Sequence, residues 1–338
     1  MGAKIRRIVP NFVYEVSIRT VDRCFLFTPN HNPQSPLLDA TSPPCSLERN
    51  NNIIPKSSIL NIIGAAIGKA LLTSPIQIHA FEVNSNHIHI VFSVTESQMD
   101  NVVSFFRQVF STIARKVNLH WDREGHVFGG RSRAHSCLDD DVAAQKVLYA
   151  MTNPAKDNLI DKTARSPFFT TYHHQAKGAP LKYWYIDFNA YNTAGANRKK
   201  SHRLKDYLCW VEWETTPLPA HQAMTPSQRQ TWFRKQVRAY DEKFGEKRQQ
   251  DGHTVLGFEK LKATNPRNKP ANPKKSGKSP LCHCSDKSHA KEFRKQWKAF
   301  LNQYIPASAD YRNGMRDREF PVGSYKPPLF DVSFALAP

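Results

Sequence analysis

From Phe12 to Arg19 the side chains alternate: Phe12, Tyr14, Val16 and Ile18 on one side, Val13, Glu15, Ser17 and Arg19 on the other. That period of two predicts a β-strand. Ser57 or Ser58 can cap a helix whose buried stripe is Ile59, Ile62, Ile63, Ala66, Ala70 and Leu71. Two β-rich runs, Ile76 to Val83 and His87 to Phe92, flank the polar turn Asn84-Ser85-Asn86 and predict a hairpin. A helix from Ser97 would bury Val102, Val103, Phe106, Val109, Phe110, Ile113 and Val117. Arg131 to Leu138 predicts another strand, and Asp139-Asp140-Asp141 opens a further helix by capping and dipole. Pro154 is expected to end that helix at Asn153, with Asn158 in a left-handed cap. Strand, helix, hairpin, helix, strand is a ferredoxin-like α+β order, an antiparallel sheet with packed helices.

The rest of the chain is patterned differently. From about Ser166 to Met224 periodicity is lost, and Tyr172, Tyr183, Trp184, Tyr185, Phe188 and Tyr191 stand among prolines and basic residues. Such aromatics can stack unpaired bases, but the preferred reading is that they pack this segment onto the preceding domain. Pro226 to Gln250 predicts a basic helix with Trp232, Gln236, Val237, Tyr240 and Phe244 on one side. Asp286 to Tyr304 predicts a last helix with Phe293, Trp297, Leu301 and Tyr304 on one stripe. His31 to Pro55, rich in Pro, Asn and Ser, reads as a mobile inserted loop. Gly64 and Gly68 are expected to let a helix approach a sheet closely; their run, Ile59 to Leu72, is too short to span a bilayer.

The chemistry begins with His87-Ile88-His89. In a strand the two imidazoles share a face and can hold a divalent metal through neutral nitrogens. Alone, such a pair is more often a surface or core feature. Downstream, Tyr149 and Asn153 are an i,i+4 pair, so a phenol and a carboxamide project together, with Val142 and Lys146 along the same side. A phenol, with a pKa of about 10, is a poor nucleophile at neutral pH. A metal that polarises a phosphoryl oxygen lowers the barrier to its attack on phosphorus. The resulting phosphotyrosine ester conserves the energy of the broken bond, so a strand can be rejoined without ATP. Taken singly, Tyr149 would be a core tyrosine and Asn153 a helix-terminating residue.

Together these pieces resemble the HUH single-strand transposases with one catalytic tyrosine, in the REP-associated tyrosine transposase branch. Tyr14 to Thr20, followed by Arg23-Cys24-Phe25-Leu26-Phe27, is similar to its first strand and turn. Ser85-Asn86-His87-Ile88-His89-Ile90-Val91 is similar to its histidine motif, and Leu148-Tyr149-Ala150-Met151-Thr152-Asn153-Pro154-Ala155 to its tyrosine helix. The resemblance covers roughly residues 10 to 165. It implies that Tyr149 is the nucleophile, that His87 and His89 are metal ligands with Asn153 as the third, and that Mg²⁺ or Mn²⁺ is the cofactor. Gly252 to Gly257, Pro280 to His283 and Phe320 to Tyr325 resemble segments of the longer members, without chemistry of their own. The chain departs from the family at Asn84, where Met is usual, at Ala155 and at Asn158. Val127-Phe128-Gly129-Gly130-Arg131 lacks the usual tryptophan. Asn84 is not required to touch metal or phosphate. The implied division is a catalytic domain over 1–165, an irregular aromatic and basic connector over 166–225, and a basic helical extension over 226–338.

Charge points to the partner. With 48 Lys and Arg against 29 Asp and Glu, the formal charge is +19 and the pI near 9.7. Such a field attracts polyanions through salt-sensitive phosphate contacts. Candidate contacts are Arg107, Arg115 and Lys116 on the second helix, Arg131 and Arg133 at the start of the strand before the tyrosine helix, and Lys274, Lys275 and Lys278 in an acid-free arm. Single-stranded or hairpin DNA is the expected partner, with a homodimer possible. The extension is expected to hold flanking DNA and do no chemistry. No secretory leader or membrane span is read, and scattered cysteines fit a cytoplasmic, nucleoid-associated bacterial protein. Cys282-His283-Cys284 with His289 is a local cluster, too tightly spaced for an ordinary zinc site. A non-catalytic, domesticated DNA- or RNA-binding protein and a phosphodiesterase using water are the other classes.

Overall fold

The computed structural model describes residues 7–29, 57–196, 204–271 and 280–327. The loop expected over His31 to Pro55 and the candidates Lys274, Lys275 and Lys278 lie outside them. In chain order the elements are β1 (Val13–Arg19), α1 (Ile59–Thr73), β2 (Gln77–Asn84), β3 (His87–Ser93), α2 (Asn101–His120), β4 (Arg133–Cys137) and α3 (Asp140–Lys156). Then come α4 (Tyr172–Lys177), β5 (Leu181–Ile186), α5 (Phe188–Ala196), β6 (Leu208–Trp213), α6 (Pro226–Gln250), α7 (Phe258–Ala263), β7 (Cys282–His283) and α8 (Lys287–Arg312).

The main sheet runs β2-β3-β1-β4-β7. Its first four strands have the ferredoxin-like order read from the sequence, and every pair among them is antiparallel. The fifth, β7, joins β4 in parallel, with Ser136 opposite Cys282 and Cys137 opposite His283. Strand alternation gives the sheet two working faces. Tyr14, Val16, Ile18, Ile88, Ile90 and Phe92 share one core with Ile63 and Ile67 of α1 and Phe105, Phe106 and Val109 of α2. Val13, Ala80, Val91 and Cys137 face the other way, under Val142, Val147, Leu148 and Met151 of α3. Phe233 and Val237 of α6 close that second core from outside.

Several local expectations shift. The second helix begins at Asn101, because Thr95 and Gln98 form a capping box that holds Glu96–Gln98 as a separate 3₁₀ turn. Its buried stripe passes through Phe105, which is fully buried, and leaves Val103 48% exposed. Pro154 does not stop α3, which continues to Lys156. Proline removes only its own N–H, and the Asp157 N–H still reaches the Asn153 carbonyl at 3.0 Å. Asn158 adopts the expected left-handed conformation at φ 57°. The segment without periodicity contains the antiparallel pair β5–β6, most of whose aromatics pack inward, while Trp210 is exposed. Tyr183 and Trp184 are buried. No helix among the described residues is long and apolar enough to cross a membrane.

Gly64 and Gly68 explain how the hairpin docks. A Cβ at Gly64 would lie 2.5 Å from the Tyr183 ring, and one at Gly68 would lie 2.6 Å from Val211. Gly64→Ala gains about 1 kcal/mol of helix propensity but forces a ring out of a packed site, at roughly 1–3 kcal/mol. A net loss of about 1 kcal/mol in a urea melt is expected; a gain in stability would show that the hairpin does not seat on α1 in this way.

Candidate active site

On the α3 face of the sheet, β2 and β3 set Asn84 opposite His87, and β3 and β1 set His87 opposite Arg19 and His89 opposite Ser17. The two histidine rings lie 5.0 Å apart, edge to face. α3 runs over them and places the Tyr149 ring 5.6 Å from that of His89. One turn further along, Asn153 is buried, and its Oδ1 accepts a hydrogen bond from Asn84 Nδ2. The same Asn84 amide lies 3.2 Å from His87 Nε2. His87, His89, Tyr149 and Asn153 are therefore brought together from β3 and α3, by a helix whose start is fixed by Asp139 accepting from the Val142 N–H.

Each histidine is oriented from behind. Glu15 reaches diagonally from β1 and accepts from His89 Nδ1 at 2.8 Å and from His135 Nδ1 at 2.9 Å. Burial alone would raise the Glu15 pKa, but the hydrogen bonds from His135 and His89 hold it well below the usual carboxylate range. An ionised carboxylate only accepts, so His89 carries its proton on Nδ1 and offers the Nε2 lone pair. His87 Nδ1 lies 2.9 Å from the Asn86 side-chain oxygen, which likewise leaves Nε2 as its acceptor. Burial above all, with Arg19 nearby, pushes His87 down to about 3, so it is neutral at physiological pH.

This donor set fits a divalent cation. Two imidazole nitrogens and a carboxamide oxygen present lone pairs on one side, and the Asn84 N–H groups already turn the positive end of a dipole toward two of them. Asn84, a position the sequence does not require to touch metal or phosphate, thus hydrogen-bonds two of the three expected ligands. Lys146 and Lys156, three residues before and seven after Tyr149, bring their ammonium groups 5.6 and 4.4 Å from the centre of its ring. Helical spacing from Tyr149 could have found Lys156. Glu15 could have been found by asking which acid on an adjacent strand supports a histidine pair.

A second group stands beside the first. Glu15, His135 and His283 have ligand atoms all within 4.8 Å of one another, a set able to hold a metal ion. His283 comes from the C-terminal extension, expected to stay clear of any chemistry, and is carried in by β7 rather than gathered with Cys282, Cys284 and His289. Burial, then Lys146 and His135, lowers its pKa to about 4.

The candidate DNA contacts are dispersed. Arg107 and Arg115 are exposed on α2, which packs against the opposite face of the sheet from α3. Lys116, on the same helix, is half-buried with its ammonium 4.4 Å from the Phe188 ring centre. Arg131 is exposed just before β4, and Arg133 pairs with Ser17 in the register.

No protein-family model matches the sequence, and no curated protein does. Among solved structures the chain is similar to one described as a REP-associated tyrosine transposase bound to a REP hairpin. The identity is 18% and the TM-score 0.36, over 54% of this chain and 90% of that one. At that level of similarity, the function of this chain has to come from its own side chains.

Proposed function

We propose that this protein cuts and rejoins single-stranded, hairpin-forming DNA through a covalent link to Tyr149. The observation that carries this is the convergence of Tyr149 with His87, His89 and Asn153 on one face of the sheet. Isolated, none of the four would be diagnostic. Together they supply a nucleophile beside a set of metal-ligating atoms, two of which the Asn84 amide now satisfies. The net charge of +19 supports a polyanionic substrate.

In the proposed reaction the Tyr149 oxygen attacks phosphorus and the bond to the 3′ oxygen breaks. The products are a 5′-phosphotyrosine ester and a 3′-hydroxyl; the proton lost by the phenol balances the one gained by the leaving oxygen. A divalent ion held by His87, His89 and Asn153 would stabilise the charge that develops at phosphorus. Lys146 and Lys156 place positive charge around the attacking ring and favour the approach of a phosphodiester. Two imidazoles among the ligands favour Mn²⁺ over Mg²⁺.

The test is incubation of the full chain with end-labelled single-stranded hairpins and Mn²⁺ or Mg²⁺. A protein–DNA adduct that survives denaturation is expected, and EDTA should remove it. DNA binding without an adduct under any metal would leave a non-catalytic binder. Cleavage with a free 5′-phosphate and no adduct would mean that water is the nucleophile.

A further inference from the structure

The extension enters the main sheet through a very small contact. β7 is two residues long and pairs with β4 only at Ser136 and Cys137. Leu138 N–H donates to the His283 carbonyl at 2.9 Å, and the Ser285 N–H and hydroxyl reach Asp139 at 2.8 and 3.0 Å. Two ladder positions are far fewer than an ordinary strand contributes. Yet this short strand sets a histidine against the buried pair Glu15–His135.

We propose that Glu15, His135 and His283 form a second divalent transition-metal site, separate from His87, His89 and Asn153, that clasps the C-terminal extension to the sheet. The spacing carries the argument. A tetrahedral ion about 2.1 Å from each ligand holds its ligand atoms roughly 3.4 Å apart. Glu15 Oε2 lies 2.9 Å from His135 Nδ1 and 3.9 Å from His283 Nε2, so the observed distances straddle that value. At 3.9 Å the Glu15–His283 pair is beyond hydrogen-bond range and about half an ångström wider than the tetrahedral spacing. The His135 and His283 rings stand 5.1 Å apart at 70°, steeply inclined, so two different ring edges can face one point.

The chemistry of the set selects the ion. Two nitrogens and one carboxylate oxygen suit Zn²⁺ and its neighbours, whereas Mg²⁺ and Ca²⁺ require mostly oxygen. A neutral imidazole can carry its proton on either nitrogen, so His135 can free Nδ1 by moving its proton to Nε2. Access is open from the His283 side, whose side chain is 20% exposed while Glu15 is 7% exposed. The ligands come from β1, β4 and β7, three segments far apart in sequence, so binding energy here is energy for docking the extension. Glu15 also touches His89 through its other oxygen, which makes this carboxylate the physical link between the two groups.

The inference does not depend on Tyr149 chemistry, and its test needs no DNA. Metal-free full-length protein is titrated with Co²⁺ and with Zn²⁺, and bound equivalents and the visible Co²⁺ spectrum are recorded. His283→Gln and His135→Ala should each lose one equivalent and the intense bands of tetrahedral cobalt, while His87→Ala, which removes a ligand of the other site, keeps those bands. Zn²⁺ should also protect the segment around residue 283 from limited proteolysis in the parent chain and not in His283→Gln. His283 is only half-buried, so that variant tests the site even if His135→Ala fails to fold. Equal stoichiometry in the parent chain and His283→Gln would overturn the proposal. So would tetrahedral cobalt bands that disappear with His87→Ala and persist with His283→Gln.

Discussion

Replacing Tyr149 by Phe is expected to abolish the DNA adduct and to leave single-strand affinity within about twofold. The change deletes one oxygen from a half-buried ring that sits edge-on to His89 and is flanked by Lys146 and Lys156. Those contacts involve the ring and persist in phenylalanine. Stability should therefore move by less than about 1 kcal/mol, as for a typical surface-proximal substitution. No adduct should form, because the variant lacks the oxygen that attacks phosphorus. Adduct yield on denaturing gels and Kd from filter binding separate the two effects. An adduct of undiminished yield in the Phe variant would remove Tyr149 from its role.

Glu15→Gln is the second large effect expected, for a different reason. Glu15 contacts no candidate substrate atom; it is a positioning residue that fixes the His89 proton on Nδ1 and keeps a negative charge behind the ring. Glutamine retains the shape but not the charge, and its amide offers hydrogens toward one of two histidines that already donate. Loss of such a partner typically weakens metal binding by about 10–100-fold. Cleavage at limiting Mn²⁺ should fall by about that factor and recover as Mn²⁺ is raised, with DNA affinity unchanged. A purely structural role would lower activity at every metal concentration alike. An unaltered Mn²⁺ dependence would show that His89 does not need this carboxylate.

The parts legible in the sequence were those governed by short-range periodicity. Strand alternation around Tyr14 and Val16, the Ser58 cap, the His87 hairpin and the i,i+4 pair Tyr149–Asn153 each depend on neighbours within a few residues. The two histidines, the tyrosine and the asparagine do meet, as their motif resemblance implied. What could not be read depends on long-range pairing. Glu15 looked like one polar residue of a strand until β4 and β7 set His135 and His283 beside it. Asn84 looked incidental because its contact with Asn153 crosses from strand to helix, 69 positions apart. Pro154 does not act as a stop, since proline removes one N–H and the packing of Leu148 and Met151 holds the helix through it. Aromatics after Ser166 give no period because β5 buries the adjacent Tyr183 and Trp184 on both faces and a long connection separates it from β6.

The order in which the sheet is assembled has a consequence for biosynthesis. Its fifth strand is made last, and Cys282 and His283 leave the ribosome long after β1 to β4 have emerged. At roughly 5–20 residues per second, His283 follows Glu15 by on the order of ten to fifty seconds. During that interval a nascent chain can pair β1 with β4 and seat α3, but Glu15 has only His89 and His135 for company. An arrested chain ending just short of Pro280 should therefore show a folded tyrosine helix with an unfinished neighbour at the sheet edge, a state that cross-linking on stalled ribosomes can capture. Docking of β7 would then report to β1 that the chain has been made through residue 283.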